Sequence, residues 1–529
     1  MSFLLDLFAV PPTLLALGEP THGESAFLQI RNEAFLSLAG HGYRSIAVES
    51  DRAAGLIADG FVQGCAAVTL DRALAEGFSH GFGSAPANRD LLLRMREWNA
   101  GRPAAERLTF HGFDAPLEIE GAPSPRRHLT RVCEFLGLDR VAEIDDLVGD
   151  EARWSDPAAV WEPGRSIGRS TDARCLRVLA DDLLTELYLR APRRPVGWQA
   201  AFVHATSAVA VLRYHAAAAA PSEREERFAR LAGVRDGLMA ENLLAIRSAE
   251  AQRGPTLVFA HNAHLQRHPI TMTVAGTDVS WASAGAIVSA LRHDRYAVVV
   301  GSLGASPALG IEAPTASTYE GRLQQESVLP RYVRASEIAA AERRTHDHRY
   351  YPLDRAAIDH ADAVLHVPTG VDAAVLVDRI LALPGVEQLV ASEENGSPEG
   401  SWGDRFFYVG PDRRQPFASI VAHDVPGFDE ASQLDRPGVF RLNLDLGRAE
   451  FERVFGFPPK AFEEHRHAFD FARLDTLVPH PGYARYGFGS IVMPGPQLLP
   501  EIDRLLATAY ARAVDRHERA VRRSAGRRG

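Results

Sequence analysis

The chain has 529 residues, of which 46% are hydrophobic and 24% charged, and its formal net charge at pH 7 is -10. This composition is typical of a globular enzyme, and the length exceeds what one ordinary core needs, so two or three domains are expected. The negative charge argues against a general nucleic-acid-binding protein, although residues 516–528 form a basic segment that we interpret as the solvated end of a helix.

The cysteine and lysine content argues against several further classes of protein and of site. The three cysteines, Cys65, Cys133 and Cys175, form no Cys-x-x-Cys pair, so neither a disulfide framework nor a thiolate zinc site is expected. Lys460 is the only lysine, which argues against a P-loop and against Schiff-base chemistry. No window of 18 apolar residues and no basic leader segment is present, so we expect a cytoplasmic protein without a membrane partner.

The stretch from residue 14 to 50 predicts a β-α-β unit. An apolar run at 14–17 is typical of a buried strand, a helix is expected over 25–39, and a second strand over 45–48. Open α/β sheets bind ligands at the carboxyl ends of their strands. The polar side chains that follow these two strands are therefore candidate site residues, namely Glu19, His22, Glu49 and Asp51.

Glu19, His22 and Glu49 are suited to acid–base chemistry. An acidic neighbour fixes the tautomer of an imidazole and raises its pKa, so His22 would serve as a general base. Arg31 lies nine residues after His22 and would point toward the same mouth of the sheet. The alternative is an ordinary helix N-terminus, in which Thr21 is the cap and His22 has no chemical task.

The next segments add a third strand end and a largely helical insertion. A strand at 108–110 is followed by Asp114, which either belongs to the same mouth or caps a turn. Residues 125–250 are mostly helical in pattern, with an interruption at 156–169. Within it, Ser166 lies in a formal match to the nucleophile-elbow motif, but no strand precedes it, so we interpret the match as accidental.

A second histidine cluster follows another buried strand. Residues 257–260 predict a strand of the parallel kind, and it ends in His261-Asn262-Ala263-His264. Such a pair either binds a metal or holds a carbonyl or water by hydrogen bonds, and the remaining alternative is a surface loop. Because two histidine motifs each follow an apolar strand, we expect them to converge in the fold.

Several motifs together resemble the erythromycin esterase family over about residues 10–370. They are Gly18-Glu19-Pro20-Thr21-His22-Gly23, Arg31, Val48-Glu49-Ser50-Asp51, Trp98-Asn99 with Phe113-Asp114, Arg235-Asp236 with Met239 and Asn242, and Ala260-His261-Asn262-Ala263-His264. The resemblance implies that His22 is the base that activates water for attack on a macrolide lactone. It also implies that Glu19, Glu49, Arg31 and His261 are catalytic.

The same resemblance brings further residues to the site and shows departures. His264, Asp51, Arg235 and Asp114 are the expected substrate-binding residues, and no cofactor or metal is expected. Ser283-Ala284-Gly285 stands where a Met-Gly pair is expected in the family. The helical region at 125–222 has little in common with the family. Because we expect this region to determine substrate choice, the departure bears on the macrolide as the substrate.

Beyond residue 370 the pattern changes. Residues 369–372 are expected to cap a new helix at 373–383, and short strands separated by Pro and Gly turns follow, which predicts an α+β module. Trp402-Gly403-Asp404, Leu434-Asp435-Arg436-Pro437-Gly438 and Pro479-His480-Pro481 resemble a small family of domains of unknown function. We assign this domain no chemistry, and its protein partner is unknown. Glu463 to His467 suggests a charged helix face rather than a metal site.

The sequence therefore predicts an α/β fold: an esterase-like parallel-sheet domain at residues 1–370, with a helical lid at about 125–250, followed by a smaller α+β domain at 371–529. The leading hypothesis is a cofactor-free hydrolase of a small-molecule ester or lactone, in which Glu19 or Glu49 orients His22 and Arg31 with His261 steadies the water or the oxyanion.

Two alternatives to this hypothesis stay open at the level of sequence. The first is a metal-dependent hydrolase that uses His22, Glu49, His261 and His264 as ligands of the kind zinc accepts. The second is a non-catalytic protein that binds a small molecule. The charged residues of the cluster argue against the second alternative, because burying charge without a task is costly.

Overall fold

The computed structural model describes residues 4–525 except 118–120, 194, 275, 292–295, 307–308, 327–329, 346–349, 369–372, 412, 414, 426, 428, 436–438 and 496–497. The chain forms two compact units. The first comprises residues 1–302, 317–320 and 331–366, and the second comprises 303–316, 321–330 and 367–529. The helix cap expected at 369–372 lies outside the described residues.

The first part of the chain alternates strands and helices. Its strands are β1 (Leu14–Glu19), β2 (Ser45–Asp51), β3 (Thr109–Asp114), β4 (Thr256–His261), β5 (Ile270–Val274), β6 (Thr277–Trp281), β7 (Tyr296–Leu303), β8 (Arg331–Arg334) and β9 (Ala363–Val367). Its helices are α1 (Ser25–Gly40), α2 (Arg52–Val62), α3 (Leu70–Glu76), α4 (Pro86–Asn99), α5 (Arg126–Leu136), α6 (Val141–Val148), α7 (Thr171–Arg190), α8 (Trp198–Ala218), α9 (Arg224–Glu250), α10 (Asn262–Leu265), α11 (Ala284–Leu291), α12 (Tyr319–Glu326) and α13 (Arg355–Asp359).

Seven of these strands form one sheet in the order β3-β2-β4-β1-β7-β9-β8, while β5 and β6 form a separate hairpin. β1 runs parallel to both β4 and β7, and β2 runs parallel to β3 and β4. Every residue of β1 is buried, as expected for a central parallel strand that is covered on both faces. This order brings the carboxyl ends of β1, β2, β3 and β4 to one edge of the sheet.

Two glycines allow α2 to lie directly against β3. A Cβ atom added at Gly55 would come within 2.4 Å of the backbone nitrogen of Gly112. A Cβ atom added at Gly112 would come within 2.3 Å of the carbonyl oxygen of Asp51. Both positions therefore exclude any larger residue, and the close approach fixes the start of α2 beside the ends of β2 and β3.

The predicted helical insertion is present as α5 to α9, and apolar side chains of α5 to α8 and the turns between them form a core of their own around Trp154, Leu176 and Leu212. Its interruption consists of short 3-10 turns between residues 151 and 169. Ser166 lies between two of these turns, and its hydroxyl donates a hydrogen bond to the carbonyl of His215 at 3.0 Å. The strand and helix that a nucleophile elbow requires are absent around Ser166.

The second unit contains an antiparallel six-stranded sheet in the order β10-β11-β12-β13-β15-β14. Its strands are β10 (Val386–Val390), β11 (Arg405–Val409), β12 (Ala418–Val421), β13 (Arg441–Asp445), β14 (Leu477–Pro479) and β15 (Phe488–Val492), and its helices are α14 (Ala373–Leu381), α15 (Gly447–Phe455), α16 (Phe462–His465) and α17 (Leu499–Ala525).

Residues of α14 and α17 pack with the sheet of the second unit into one core. This confirms the predicted fold class of a parallel-sheet α/β domain followed by an α+β domain. Glu463, Glu464 and His465 are exposed, as expected for a charged helix face. Within the described part of the chain, no helix has both the length and the apolar character needed to cross a bilayer.

Candidate active site

His22 lies in the turn between β1 and α1 and contacts the last residue of β1. Its Nδ1 atom is 2.8 Å from Oε1 of Glu19, and its Nε2 atom is 3.9 Å from Oε1 of Glu49. The helix cap is Glu24, whose carboxylate accepts the backbone N–H of Ala26, rather than Thr21. His22 is therefore held by a carboxylate and is not part of the helix cap, and 41% of its side chain is exposed.

The electrostatics of the His22–Glu19 pair favour a charged imidazole. Burial works to lower the pKa of His22, but the hydrogen bond to Glu19 and the charges of Glu49 and Glu19 outweigh it and raise the pKa above its ordinary value. Burial also raises the pKa of Glu19, against the effect of the hydrogen bond from His22. Oε2 of Glu19 is buried and has no hydrogen-bond partner in the described part of the structure.

Glu49, at the end of β2, links the two histidine motifs. Its Oε2 atom accepts the backbone N–H of His261 at 2.8 Å, and its Oε1 atom is 3.5 Å from Nε2 of His264. Nη2 of Arg235 lies 3.3 Å from the same oxygen. Burial opposes ionisation, but the charges of His264, His22 and Arg235 lower the pKa of Glu49 to about 2. Glu49 is therefore the anionic centre of the cluster.

Asp114, at the end of β3, holds Arg235 through two hydrogen bonds of 3.1 and 2.6 Å from Nε and Nη2. His80 contacts the same carboxylate through Nε2 at 2.9 Å. Burial favours the neutral acid, but the charge of Arg235 and the hydrogen bond from His80 hold the pKa of Asp114 well below its usual range. Asp114 thus orients Arg235 instead of presenting a free carboxylate to a substrate.

Asp51 has a structural task. Its carboxylate accepts the backbone N–H groups of Ala53 and Ala54, so it caps α2. We expect Asp51 from the sequence to bind substrate. In that role its carboxylate would have to contact the substrate while it also accepts the capping hydrogen bonds.

His261 and His264 are partly buried in the cluster, and their rings hydrogen-bond protein groups. Nδ1 of His261 accepts the N–H of Ala263 at 3.3 Å, and the ring also bonds the backbone of Pro20. Burial lowers the pKa of His261 to about 3, so its ring is neutral. Its centroid lies 5.2 Å from that of His22. His261 therefore packs against the proposed base.

His264 bridges two carboxylates. Its Nδ1 atom is 2.9 Å from Oδ1 of Asp236, and its Nε2 atom faces Glu49. Burial works to lower the pKa of His264, but Asp236 and Glu49 outweigh this and raise it. Asp236 was absent from our candidate residues, although it follows Arg235 in one of the motifs.

Arg31 is buried and does not line the open mouth. Its guanidinium donates to Oδ1 of Asn32 at 3.1 and 2.8 Å and lies over the ring of Phe259, 5.1 Å from the ring centroid. Burial lowers its pKa to about 10, against the charges of Glu19 and Asp90. Its electrostatic partner in the cluster is therefore Glu19.

A cavity of about 330 Å³ adjoins the cluster, with His80 and Arg235 in its wall. Its other wall residues are apolar or aromatic and come from the helical insertion, the β5–β6 hairpin and the segment after β3: Leu117, Val160, Tyr214, Phe228, Leu231, Ala232, Met272, Val279 and Trp281. The indole of Trp281 donates to Oδ2 of Asp236 at 2.8 Å, which ties this wall to the cluster. A few polar groups at the end of an apolar cavity are typical of a small-molecule site.

The metal-ligand set considered above does not converge on one point. Among the described residues, no group of three or more His, Cys, Asp or Glu side chains is arranged to hold a metal ion. Nδ1 of His22 is engaged by Glu19, and His264 lies between Asp236 and Glu49. A metal would have to displace these contacts.

The fold and the cluster together define an α/β protein with a histidine–carboxylate site at the ends of its parallel strands. A sequence model of the erythromycin esterase family matches residues 38–378, and the chain belongs to that family. A second model, of a family of unknown function (DUF6194), matches residues 371–523. The predicted fusion is therefore confirmed. Family membership supports an esterase-like hydrolase. Glu19, His22 and Arg31 precede the matched segment.

Solved structures share the fold at low identity. A Bacillus cereus protein is 14% identical, with a TM-score of 0.52 over 69% of this chain and 90% of its own. A succinoglycan biosynthesis protein is 13% identical, with a TM-score of 0.51 over 69% and 89%. A mutant of the erythromycin esterase EreC in its open conformation is 16% identical, with a TM-score of 0.50 over 70% and 94%. No curated protein sequence matches the chain significantly.

Proposed function

We propose that this protein hydrolyses a carboxylic ester or a lactone with a water molecule that His22 activates, without a covalent intermediate. The observation that carries the proposal is the placement of His22. Glu19 holds the Nδ1 atom of His22, and the Nε2 atom faces Glu49. The side chain of His22 is 41% exposed. An imidazole held in this way has one nitrogen fixed and one available to a reactant.

The proposed reaction begins with the neutral form of His22. Glu19 accepts the Nδ1–H, which places the lone pair on Nε2. Nε2 takes a proton from water as the water oxygen forms a bond to the substrate carbonyl carbon. The resulting imidazolium is stabilised by the carboxylates of Glu19 and Glu49. It then returns the proton to the leaving alkoxide as the carbon–oxygen bond breaks, so that water and ester give acid and alcohol.

Two partly buried basic side chains of the cluster are the proposed stabilisers of the oxyanion. Arg235 lines the apolar cavity and contacts Glu49, the carboxylate that also faces Nε2 of His22. His264, whose pKa is raised, contacts the same carboxylate and would be a second positive group when protonated. Positive groups fixed before the reaction are worth more than mobile ones, because they need no reorganisation. Arg31 and His261 would act indirectly, Arg31 through its charge near Glu19 and His261 by packing against His22.

The cavity supports an apolar substrate. Its walls would contact the hydrocarbon part of an ester or lactone, with the carbonyl directed at Arg235 and His22. A macrolide such as erythromycin is the substrate that the family suggests, and with it a role in antibiotic resistance. Aromatic side chains such as Tyr214, Phe228 and Trp281 would also accept aryl or alkyl esters.

A substrate panel with one matched pair of variants tests this function. The panel contains p-nitrophenyl esters of increasing chain length, simple lactones and erythromycin, and the purified full chain is compared with His22→Asn and His41→Asn. His41 is the control because it is an exposed histidine whose ring contacts the carbonyl of Ser37 on α1. We expect His22→Asn to lower kcat/KM by about 10²- to 10⁴-fold and His41→Asn to leave it unchanged. Full activity of His22→Asn would refute the proposed base.

A further inference from the structure

A second cavity of about 250 Å³ lies outside the site described above, between α2, β3, α8 and α9. Gln199, an exposed residue of α8, marks its mouth. The wall combines apolar residues such as Leu56, Val203 and Ile246 with a set of charged groups. A buried space of this size with both kinds of lining is suited to a small polar molecule.

Arg52 is the unusual member of this wall. Its side chain is 6% exposed, and its only described hydrogen bond runs from Nη1 to Oδ1 of Asn242 at 2.7 Å. Burial lowers the pKa of Arg52 to about 10, and no carboxylate offsets that effect. Buried guanidinium groups are ordinarily paired with an acid or fully hydrogen-bonded. Arg52 therefore carries a charge that the protein itself leaves uncompensated.

The other charged groups of the cavity already have partners within the protein. Nη1 of Arg253 is 2.8 Å from Glu250, and Nε2 of His111 is 3.0 Å from the same carboxylate. Oδ1 of Asp59 accepts hydrogen bonds from Gln63 and from the backbone of Phe110, both at 3.0 Å. Two acidic residues in the wall would repel a dianion, whereas Arg52 needs one negative charge.

From this lining we infer that the second cavity binds a small organic monocarboxylate, whose carboxylate pairs with Arg52 and whose apolar body contacts Leu56, Val203 and Ile246. Arg52 would supply the charge-assisted hydrogen bonds, which are the strong ones in a site shielded from water. Gln199 would lie where the ligand enters. This inference does not rest on the proposed esterase activity.

Binding in this cavity would reach the strand ends through one residue. Asn242 accepts the hydrogen bond from Arg52, and its Nδ2 atom donates to the carbonyls of Phe113 and Asp114 at 3.0 and 3.2 Å. Asp114 in turn holds Arg235. A ligand that repositions Arg52 would therefore act on the segment that orients Arg235.

Isothermal titration of the full chain with benzoate tests the inference, with benzamide as the neutral analogue and inorganic phosphate, at a pH above its second ionisation, as the dianion. We expect saturable binding of benzoate that depends on Arg52, and no Arg52-dependent binding of the other two. Arg52→Met, which keeps the side-chain volume, should weaken benzoate binding about ten- to hundredfold. Ala249→Trp, which narrows the cavity at an exposed position of α9 and leaves Arg52 intact, should weaken it as well.

The melting temperature of the free protein gives an independent readout. If Arg52 carries an uncompensated charge, Arg52→Met should melt at or above the wild-type temperature. The matched control is Arg227→Met, because Arg227 is a buried guanidinium that donates hydrogen bonds to the carbonyls of Ala159, Val160 and Ala218. Its replacement should lower the melting temperature. Absence of benzoate binding, equal binding by Arg52→Met, or phosphate binding that depends on Arg52 would each overturn the inference.

Discussion

Nδ1 of His22 lies 2.8 Å from Oε1 of Glu19, a residue three positions earlier that ends the central strand of the sheet. Because β1 is buried along its whole length, the carboxylate is fixed by the sheet, and the histidine is fixed by the carboxylate. The base that we propose is thus positioned by backbone that has little freedom to move.

Replacement of Glu19 by Gln tests this relationship. The amide oxygen can still accept the Nδ1–H, so the tautomer is kept, but the charge that stabilises imidazolium is lost. We expect kcat/KM to fall by about tenfold or more and its rising limb to shift to lower pH, because burial lowers the pKa of His22 and the charge of Glu49 is then the main influence left to oppose it. A pH profile measured beside the wild type checks this. An unchanged limb would remove Glu19 from the role of tuning the base.

The wild-type pH profile should show the raised pKa of His22 directly. The base must be unprotonated, so kcat/KM should rise with pH through an ionisation above the ordinary histidine value of about 6.5. The sign for stability is opposite: protonated His22 stabilises the fold below the unfolded pKa, and this contribution is lost as pH rises through the folded pKa. Steady-state kinetics across the neutral range checks the first statement. A limb below pH 6 would contradict it.

Ser166→Ala should retain activity. The hydroxyl of Ser166 donates to the carbonyl of His215 and is surrounded by 3-10 turns, so it lacks the context of a nucleophile. The same hydroxyl accepts the backbone N–H of Gly168 at 3.4 Å, so the loss of both partly buried hydrogen bonds should cost about 1 to 2 kcal/mol of unfolding free energy. Kinetics and a denaturant titration measure the two effects separately. Loss of turnover in a folded variant would reopen a serine mechanism.

Dialysis against a chelator should leave the rate unchanged, and zinc should not increase it. The imidazole nitrogens of His264 and the Nδ1 atom of His22 already contact carboxylates, so a metal would compete with formed ion pairs. Elemental analysis of the same samples is the control. Zinc that is stoichiometric and follows activity through removal and restoration would favour the metal-dependent alternative.

Ala232→Leu should change substrate preference. Ala232 is half-buried on α9 and lines the apolar cavity, so a larger side chain reduces the space for the hydrocarbon part of an ester. We expect a higher KM for long-chain esters and little change for acetate esters. The ratio of kcat/KM between the two substrates is the measurement. An equal loss for both would indicate damage to the catalytic cluster instead of the cavity.

The strand ends could be predicted from sequence because the apolar runs of β1, β2 and β4 are short and flanked by polar residues. The strands themselves are longer than predicted: β1 extends to Glu19 and β2 to Asp51. The reason is that the sheet buries both faces of these residues, and backbone pairing continues into the polar positions. Glu19 is thus on the strand and not in the turn.

Other features depend on partners that are distant in sequence. His80 lies within residues 77–88, a stretch rich in Gly, Ser and Phe that is typical of a loop, and its partner is known only when β3 brings Asp114 within 2.9 Å. Asp236 is one of many acidic residues on a long helix until His264, 28 positions later, contacts it. Arg31 was expected at the open mouth, but the ring of Phe259 on β4 covers it. Periodicity carries no signal for any of these contacts.

The contact of Gly55 with Gly112 has a practical consequence for mutational scanning. Substitution at either glycine forces backbone atoms apart, so variants there should lose the fold regardless of chemistry. These two positions provide an internal reference for misfolding in a library of the whole chain. Substitutions at Gly55 and Gly112 should lower the abundance of the protein. A variant at the strand ends that loses function but stays as abundant as wild type has therefore lost chemistry and not the fold.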